Sequence, residues 1–451
     1  MTGEHERTYA AHLGGLRSEP WDEGTSAVLD TVEQHVQACP QCGVEIRTDH
    51  RFVAWCAACD WNVNPGQPEP PTGRLEVLRH RLARQHGETL LAEVTTDGTL
   101  RPRRDAVGVL ALALALAVHG TTAALLVGGL LLVVLGWGSA LPLLGALSLL
   151  VAWSLRPRFA RLPEDEPVLR RADAPELFAL VDEIAGTMGT TGVHAVSITA
   201  EYNASVSTYG LRRRRLLSIG LGLWETLTAE QRIALLGHEL GHYANGDTRH
   251  GLIIGNALRS LDTWRYLLSP VEHPTLVEAA LNALYLLPRS AVTGVLMTLD
   301  HLSLRATQRG EYLADTFAAR CGSTEAAVGM MDRLLVADSA AATLLRESNS
   351  RQTRRAGAPT GSEAWSGLWE RLAAHMDSIP ESEHERQRRC SALRGHSVDS
   401  THPPTHLRRA RLLTAAALPA AVTMDTARST ALRAELKETR DEVARRVMDG
   451  R

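Results

Sequence analysis

The 451-residue chain has no excess of basic charge: 48 Lys and Arg stand against 51 Asp and Glu, a formal net charge of -3. That balance argues against a protein held to nucleic acid by a global positive field, so nucleic acid is not an expected partner. Lysine is all but missing, Lys437 being the single one, and there are only four phenylalanines. Arginine, alanine and leucine fill their places, a codon-usage bias that carries no function. Cysteine is sparse too. Six in a chain of this length, four of them in two close pairs near the N-terminus, do not form a disulfide framework and point to a reducing compartment with metal-bound thiolates. Residues 1–30 lack a basic start, an apolar stretch and a small-residue cleavage site, so no secretory signal peptide is expected. Internal repeats are absent as well, and the length allows two or three domains.

One long stretch lacks charge altogether. From Ala106 to Leu155, fifty residues pass without Asp, Glu, Lys or Arg, and His119 is the only ionisable group. A helix crosses the hydrocarbon core in about 20 residues, so fifty suit two helices joined by a short turn; a soluble core helix seldom runs so far uncharged. Gly128-Gly129 and the run Gly136 to Leu141 both qualify as the turn. Arg101, Arg103 and Arg104 precede the stretch, and Arg156, Arg158 and Arg161 follow it. Flanking arginine marks the cytoplasmic side, and two crossings return the chain to the side it left. The lipid bilayer is therefore an expected partner, with both flanking parts in the cytoplasm. Ahead of the stretch, the stiff Pro65 to Thr72 leads into Arg74 to Glu88, a basic amphipathic helix suited to a membrane surface or to packing on its own domain.

The four paired cysteines, Cys39, Cys42, Cys56 and Cys59, form two C-x2-C knuckles thirteen residues apart. Knuckles joined by a hairpin can bring four thiolates tetrahedrally around one zinc ion. Residues 36–64 are too few for a hydrophobic core, so the metal is expected to supply the folding free energy. Such a ribbon can dock a partner protein or cap the N-terminus. Cys321 and Cys390 stand alone and read as ordinary residues.

Residues 235–247 read LLGHELGHYANGD. Thr228, with Gln231 three residues on, forms a capping-box pattern and Gly246 can end a helix, so residues 229–245 are expected to be helical. On it His238 and His242 lie one turn apart on one face and can share an ion. Glu239 sits about 100° round, beside the metal, where it can take a proton from the attacking water. With 18 histidines, H-E-x-x-H arises by chance in about one chain in twenty. A third ligand decides between a metal centre and a core or surface histidine pair. Glu311, in RGEYLAD, can complete a His2Glu set with an open fourth position, and Asp315 one turn on can accept a hydrogen bond from a ligand histidine.

The motifs GHELGHYANGD and EYLAD resemble those of the membrane-embedded zinc metallopeptidases of the HtpX and CaaX prenyl protease type, gluzincins with two histidines and one glutamate on the metal. The likeness runs over about residues 165–340 and again over about 400–412. By that resemblance YNASVSTYG (202–210) looks like the family's edge strand. Asn203 and Ala204 are then implied in substrate binding, an extended peptide pairing along the edge through main-chain bonds. STHPPTHLRRARL (400–412) resembles the family's C-terminal segment, which implies His402 as the donor that stabilises the oxyanion and Arg408 as an arginine supporting the site. Two departures stand out. HtpX-type members usually have a further pair of membrane segments between the two metal motifs. Here residues 251–303 carry Arg259, Asp262, Arg265, Glu272, Glu278, Arg289 and Asp300, leaving charge-free runs of about ten residues, too short to cross. Amphipathic helices that pack on the domain or skim the bilayer are expected instead. The ribbon ahead of the hairpin is the second departure.

The expected fold is mainly α with a small β-sheet. Its order is an N-terminal extension (1–35), the zinc ribbon (36–64), a linker with the basic helix (65–105), a transmembrane hairpin (106–155), a metallopeptidase domain (156–420) with a polar insertion at about 341–398, and a charged C-terminal helix (421–451). The expected function is zinc-dependent cleavage of protein or peptide substrates at the cytoplasmic face of the cell membrane, with one catalytic and one structural Zn2+. The alternative is a regulatory or scaffold membrane protein with latent or absent peptidase activity.

Overall fold

The structure, a computed structural model, describes residues 35–66, 87–93, 106–156, 160–244, 247–271, 274–353, 365–394 and 403–450. Residues 1–34, most of the expected linker and basic helix, Gly246 and His402 lie outside the described residues. The chain is mainly helical with a small sheet, and it divides into two compact units between Asn62 and Val63.

The first unit holds the cysteine knuckles. Strand β1 (His35–Ala38) pairs antiparallel with β2 (Glu45–Thr48). The Cys39 amide donates to the Val44 carbonyl at 2.8 Å, and the Cys56 amide to the Trp61 carbonyl at 3.0 Å, so each C-x2-C closes its own turn. The buried cluster consists of Cys39, Ile46 and Cys56, with Cys59 and Trp61 packed against it. So little apolar surface cannot offset the entropy of ordering the chain, as the short sequence implied.

The second unit begins its regular structure with the charge-free stretch. Helices α1 (Ala106–Leu135) and α2 (Leu141–Ser154) are joined by a turn at residues 136–140, so of the two candidate turns Gly136 to Leu141 is the real one. Gly129 instead lies inside α1 where it meets α2. A Cβ on Gly145 would sit 2.7 Å from the Gly129 carbonyl oxygen, and the Ser148 hydroxyl donates to the Leu125 carbonyl at 2.9 Å. At 1.5 Å per residue α1 is about 45 Å long, ample for a roughly 30 Å hydrocarbon core, whereas the 14 residues of α2 reach about 21 Å. Leu126, Leu130, Val134, Leu143, Leu150 and Trp153 are all exposed, the opposite of a soluble core helix.

Helices α6 (Asp247–Leu267), α7 (Leu276–Leu284) and α8 (Leu286–Gly322) fill the region between the two metal motifs. Ala257, Leu261 and Trp264 of α6 and Leu299 of α8 share an apolar cluster with Ala111, Ala115 and Val118 of α1. Residues 251–303, expected to form amphipathic helices too charged to cross, are mainly helical among the described residues. Helices α7 and α8, bent by 45° between Leu284 and Leu286, are together long and apolar enough for one broken span, with Arg289 as the single interruption between two runs. None of α7 is buried, and Leu276, Val277 and Leu287 are exposed.

The remaining elements surround the metal motifs. Strands β3 (Val168–Leu169), β4 (Ala195–Thr199), β5 (Ala204–Tyr209) and β6 (Arg214–Gly220) form a sheet in the order β3-β4-β6-β5. β4 runs parallel to β6, and β3 and β5 are antiparallel to their neighbours. β5 is at the edge, as the resemblance implied. Helix α3 (Pro175–Thr187), the short α4 (Leu221–Trp224) and α5 (Ala229–Ala244) supply the other core faces, with Leu177, Phe178, Ile184, Trp224 and Ile233 fully buried. Helix α8 lies closely along α5: a Cβ on Gly237 would come within 3.1 Å of the Phe317 carbonyl, and one on Gly241 within 3.1 Å of the Ala314 Cα. The two glycines that alternate with the histidines thus allow the second metal motif to approach the first.

Beyond α8 come α9 (Thr324–Leu335), α10 (Ala337–Thr353), α11 (Leu368–Asp377), α12 (Glu381–Arg394), α13 (Thr405–Thr414), α14 (Thr426–Glu435) and α15 (Lys437–Met448). The stretch read as a polar insertion contains α11, which buries Leu368, Trp369, Leu372 and Met376 on one face. The expected single C-terminal helix is two, meeting at Leu436. Arg440 donates to both oxygens of the buried Glu225, at 2.8 and 3.2 Å, which fastens the tail to the core.

Candidate metal centre

Helix α5 starts where its cap dictates. The Gln231 amide donates to Thr228 Oγ1 at 3.3 Å, and the Thr228 amide to Gln231 Oε1 at 3.1 Å, the reciprocal capping box. From that start His238 and Glu239 are buried in the middle of the helix and His242 lies half-buried one turn on. Glu311 of α8 is buried opposite them. Its Oε2 is 3.4 Å from His238 Nε2 and its Oε1 is 3.6 Å from His242 Nε2. Donor atoms of the three residues lie within 4.8 Å of one another.

Those spacings fit a metal ion. Tetrahedral ligands about 2.0–2.1 Å from zinc stand about 3.4 Å from each other, whereas a good N–H···O bond is about 2.7–3.2 Å long. The two rings lie edge to face, centroids 5.0 Å apart at 87°. The His242 side chain is 22% exposed against 7% for His238 and 3% for Glu311, so the site opens beside His242.

Behind the ligands lies a charged relay. His238 Nδ1 is 3.1 Å from Asp315 Oδ1, so with its hydrogen on Nδ1 the ring offers Nε2 to a metal. Arg408 donates through Nε and Nη2 to the two Asp315 oxygens at 2.9 and 2.6 Å, and its Nη2 is 3.7 Å from Glu311 Oε2. All of these groups are buried. Burial works against a charged His238, but hydrogen bonds with Asp315 and Glu311 outweigh it and hold the ring up at about 10. A metal must displace that proton. Burial likewise pushes the Asp315 carboxyl up, and the charge and hydrogen bonds of Arg408 reverse this and bring it below its usual range.

Of the residues named from sequence, His238, His242, Glu311, Asp315 and Arg408 meet in this centre, and Glu239 is buried on the same helix. Ala204 opens the edge strand β5, and Asn203, exposed just before it, accepts from the Gly220 amide at 2.9 Å through its carbonyl. Tyr243 was passed over. Next to His242, it donates its hydroxyl to the Ser207 carbonyl of β5 at 2.6 Å, with the Leu216 carbonyl at 3.1 Å. It thereby ties the edge strand to the helix that carries the two histidines. No sequence signal linked it to residue 207. Tyr312, beside Glu311, packs against Leu90 and Leu91, and burial pushes its hydroxyl up to about 12.

The four cysteines make a second candidate site. Cys39 and Cys59 Sγ are 3.7 Å apart and Cys42 and Cys56 Sγ 3.6 Å, close to the roughly 3.8 Å between tetrahedral thiolates held about 2.3 Å from zinc. Desolvation pushes the Cys39 thiol up, but hydrogen bonds from the Cys42 and Gln41 amides, the latter at 3.4 Å, help to bring it down to about 6. At Cys59 the Trp61 backbone works downward as well, but desolvation and the neighbouring sulfurs push that thiol up to about 12, so a metal would have to displace its proton.

The family model described as Peptidase family M48 matches residues 173–416, more than half of the chain, and takes in every element of the His2Glu centre. Neither the curated proteins nor the solved structures contain a match.

Proposed function

Because the chain belongs to peptidase family M48, we propose that it is a zinc-dependent endopeptidase anchored in the cell membrane, cleaving protein or peptide substrates on the cytoplasmic side. The observation that carries this reading is the meeting of Glu311 with His238 and His242 at the edge lengths of a tetrahedral metal site. In this reading His238, His242 and Glu311 hold the ion through two nitrogens and a carboxylate. Zinc held there would supply Lewis acidity toward the scissile carbonyl and the attacking water. Glu239 takes the proton from that water as it attacks and hands it to the leaving amine, acting as base and then as acid. Asp315 keeps the hydrogen of His238 on Nδ1, and Arg408 neutralises the carboxylate pair from behind. His402 serves as oxyanion donor. The substrate pairs along β5 from Asn203 and Ala204 onward, which orders its main chain with little demand on side chains.

The exposed apolar surfaces of α1 and α2 support anchoring, with the broken span of α7 and α8 as a further membrane element. The arginines at both ends of the hairpin support a cytoplasmic site. The cysteine ribbon would bind a structural zinc and present a surface to a partner protein. Glu239→Gln tests the assignment: the purified variant is expected to keep two zinc ions per chain and lose cleavage of an unfolded protein substrate, as the wild type does under a chelator. Wild-type turnover by the variant would remove Glu239 from the role.

A further inference from the structure

We propose that the turn between β5 and β6, residues 210–213 with the adjoining Arg214, is a docking surface for anionic phospholipid headgroups that holds the substrate edge of the sheet against the membrane. The inference rests on the anchored reading above.

The turn is built of Gly210, Leu211, Arg212 and Arg213, and strand β6 continues with Arg214. Leu211 is 78% exposed and all three arginines are exposed. The turn is tightly shaped: Gly210 at φ 68° and Arg213 at φ 50° are both left-handed, and the Arg213 amide closes on the Gly210 carbonyl at 3.1 Å. An exposed leucine framed by arginines is the composition of a surface that enters the headgroup layer, the apolar chain dipping and the guanidiniums staying with phosphates.

Tertiary structure places this turn beside the end of the apolar hairpin. The Gly210 amide donates to the Ala160 carbonyl at 2.9 Å. Ala160 is only five residues beyond Leu155, where the charge-free stretch ends, so this partner of the turn lies within about 18 Å of that end even if the intervening chain is fully extended. Arginine side chains cover part of that distance. Arg156, which lies over the Trp153 ring at 3.7 Å, and Arg161 add positive charge at the same place. Glu164 and Asp165 are exposed just beyond Ala160 but form no ion pair with the arginines of the turn. Glu166 accepts from Ser197 at 2.7 Å, Asp182 is held by Arg171, and Arg212, Arg213 and Arg214 form no ion pair with a described residue. Burial, with the charges of Arg214, Arg215 and Arg171, depresses the pKa of His194 just ahead of β4.

The consequence is orientational. β5 is the strand that leads into the turn, so a turn held in the headgroups presents the free edge close to the bilayer, where membrane-proximal segments of other proteins emerge. An acidic protein partner would meet the same charges. Continuity with the apolar hairpin and the exposed Leu211 favour lipid.

The test reconstitutes the full chain into vesicles of phosphatidylcholine and into vesicles of phosphatidylcholine with phosphatidylglycerol, and follows amide hydrogen exchange of residues 208–214. Exchange is expected to slow about fivefold or more with phosphatidylglycerol, each arginine near an anionic surface favouring the docked state by about that factor. High salt should reverse the protection. It should be absent in the Arg212→Ser/Arg213→Ser/Arg214→Ser variant, with exchange in α5 unchanged as evidence of folding. Equal exchange in the two compositions overturns the proposal and leaves the arginines to an acidic protein. Flotation after an alkaline wash reports the anchor separately. Loss of the wild type from both vesicle types would sink the anchored reading, whereas arginine-dependent flotation without the wash, with phosphatidylglycerol only, would keep the docking surface without a span.

Discussion

Replacing Asp315 by Asn keeps the shape of the side chain while removing the charge that joins His238 to Arg408. In the wild type one oxygen faces His238 Nδ1 at 3.1 Å, and the pair accepts from Arg408 at 2.6 and 2.9 Å. An amide has one oxygen fewer, so at least one donor loses its acceptor. Weakening the partner of a metal-bound histidine lowers metal affinity about 10–100-fold, or about 1.4–2.7 kcal/mol. Arg408 is left as a buried cation without its carboxylate, which costs about 3–5 kcal/mol of stability, a large share of the roughly 5–15 kcal/mol that holds a domain folded. The variant should therefore fold, melt lower, and bind zinc more weakly at one of two sites. The Asp315 carboxyl sits below its unfolded pKa of about 3.9, so its contribution is complete above that pH and fades as the pH falls through the lower folded value. The stability gap between wild type and variant should narrow in acid accordingly. Competition with a chromophoric chelator measures the affinity, and thermal unfolding in detergent measures the stability. In an Arg408→Met background the Asn substitution should cost less stability, since no buried cation remains to be stranded. Unchanged zinc affinity together with an unchanged melting temperature would refute the relay.

Three further outcomes are expected. Glu311→Ala should reduce bound zinc from two ions per chain to one and abolish cleavage; metal analysis showing two would exclude Glu311 as a ligand. Cys56→Ser should remove the other zinc and unfold the ribbon, whose apolar cluster is too small to stand alone, while peptidase turnover on an unfolded substrate persists. Persistence of both zinc ions would count against the four-thiolate site. Tyr243→Phe retains the ring under Arg215 but loses the bond to Ser207, worth about 1 kcal/mol, so KM should rise about fivefold with kcat and zinc content nearly constant. A fall in kcat at constant KM would point to a role at the reacting atoms instead.

The local sequence determined what depends on short spacing. The i, i+4 placement of His238 and His242 follows from helix pitch, the start of their helix from Thr228 and Gln231, the two cysteine knuckles from C-x2-C, and the apolar hairpin from fifty residues without charge. Other features were illegible because their causes are distant in the chain. The insertion-like stretch hid the buried face of α11 because its apolar positions are few and its partner, Arg440, lies 71 residues away. The pairing of α7 with α8 across a 45° bend was illegible too, because the bend depends on packing and not on local composition. Only tertiary structure decided that Glu311 meets the histidines, because that requires α8 to pack within backbone distance of Gly237 and Gly241. The bond from Tyr243 to the edge strand and the bond from Gly210 to Ala160 just beyond the apolar stretch were decided in the same way. Pitch and composition act over a few residues, while the convergence of groups from separate elements depends on how their surfaces fill space.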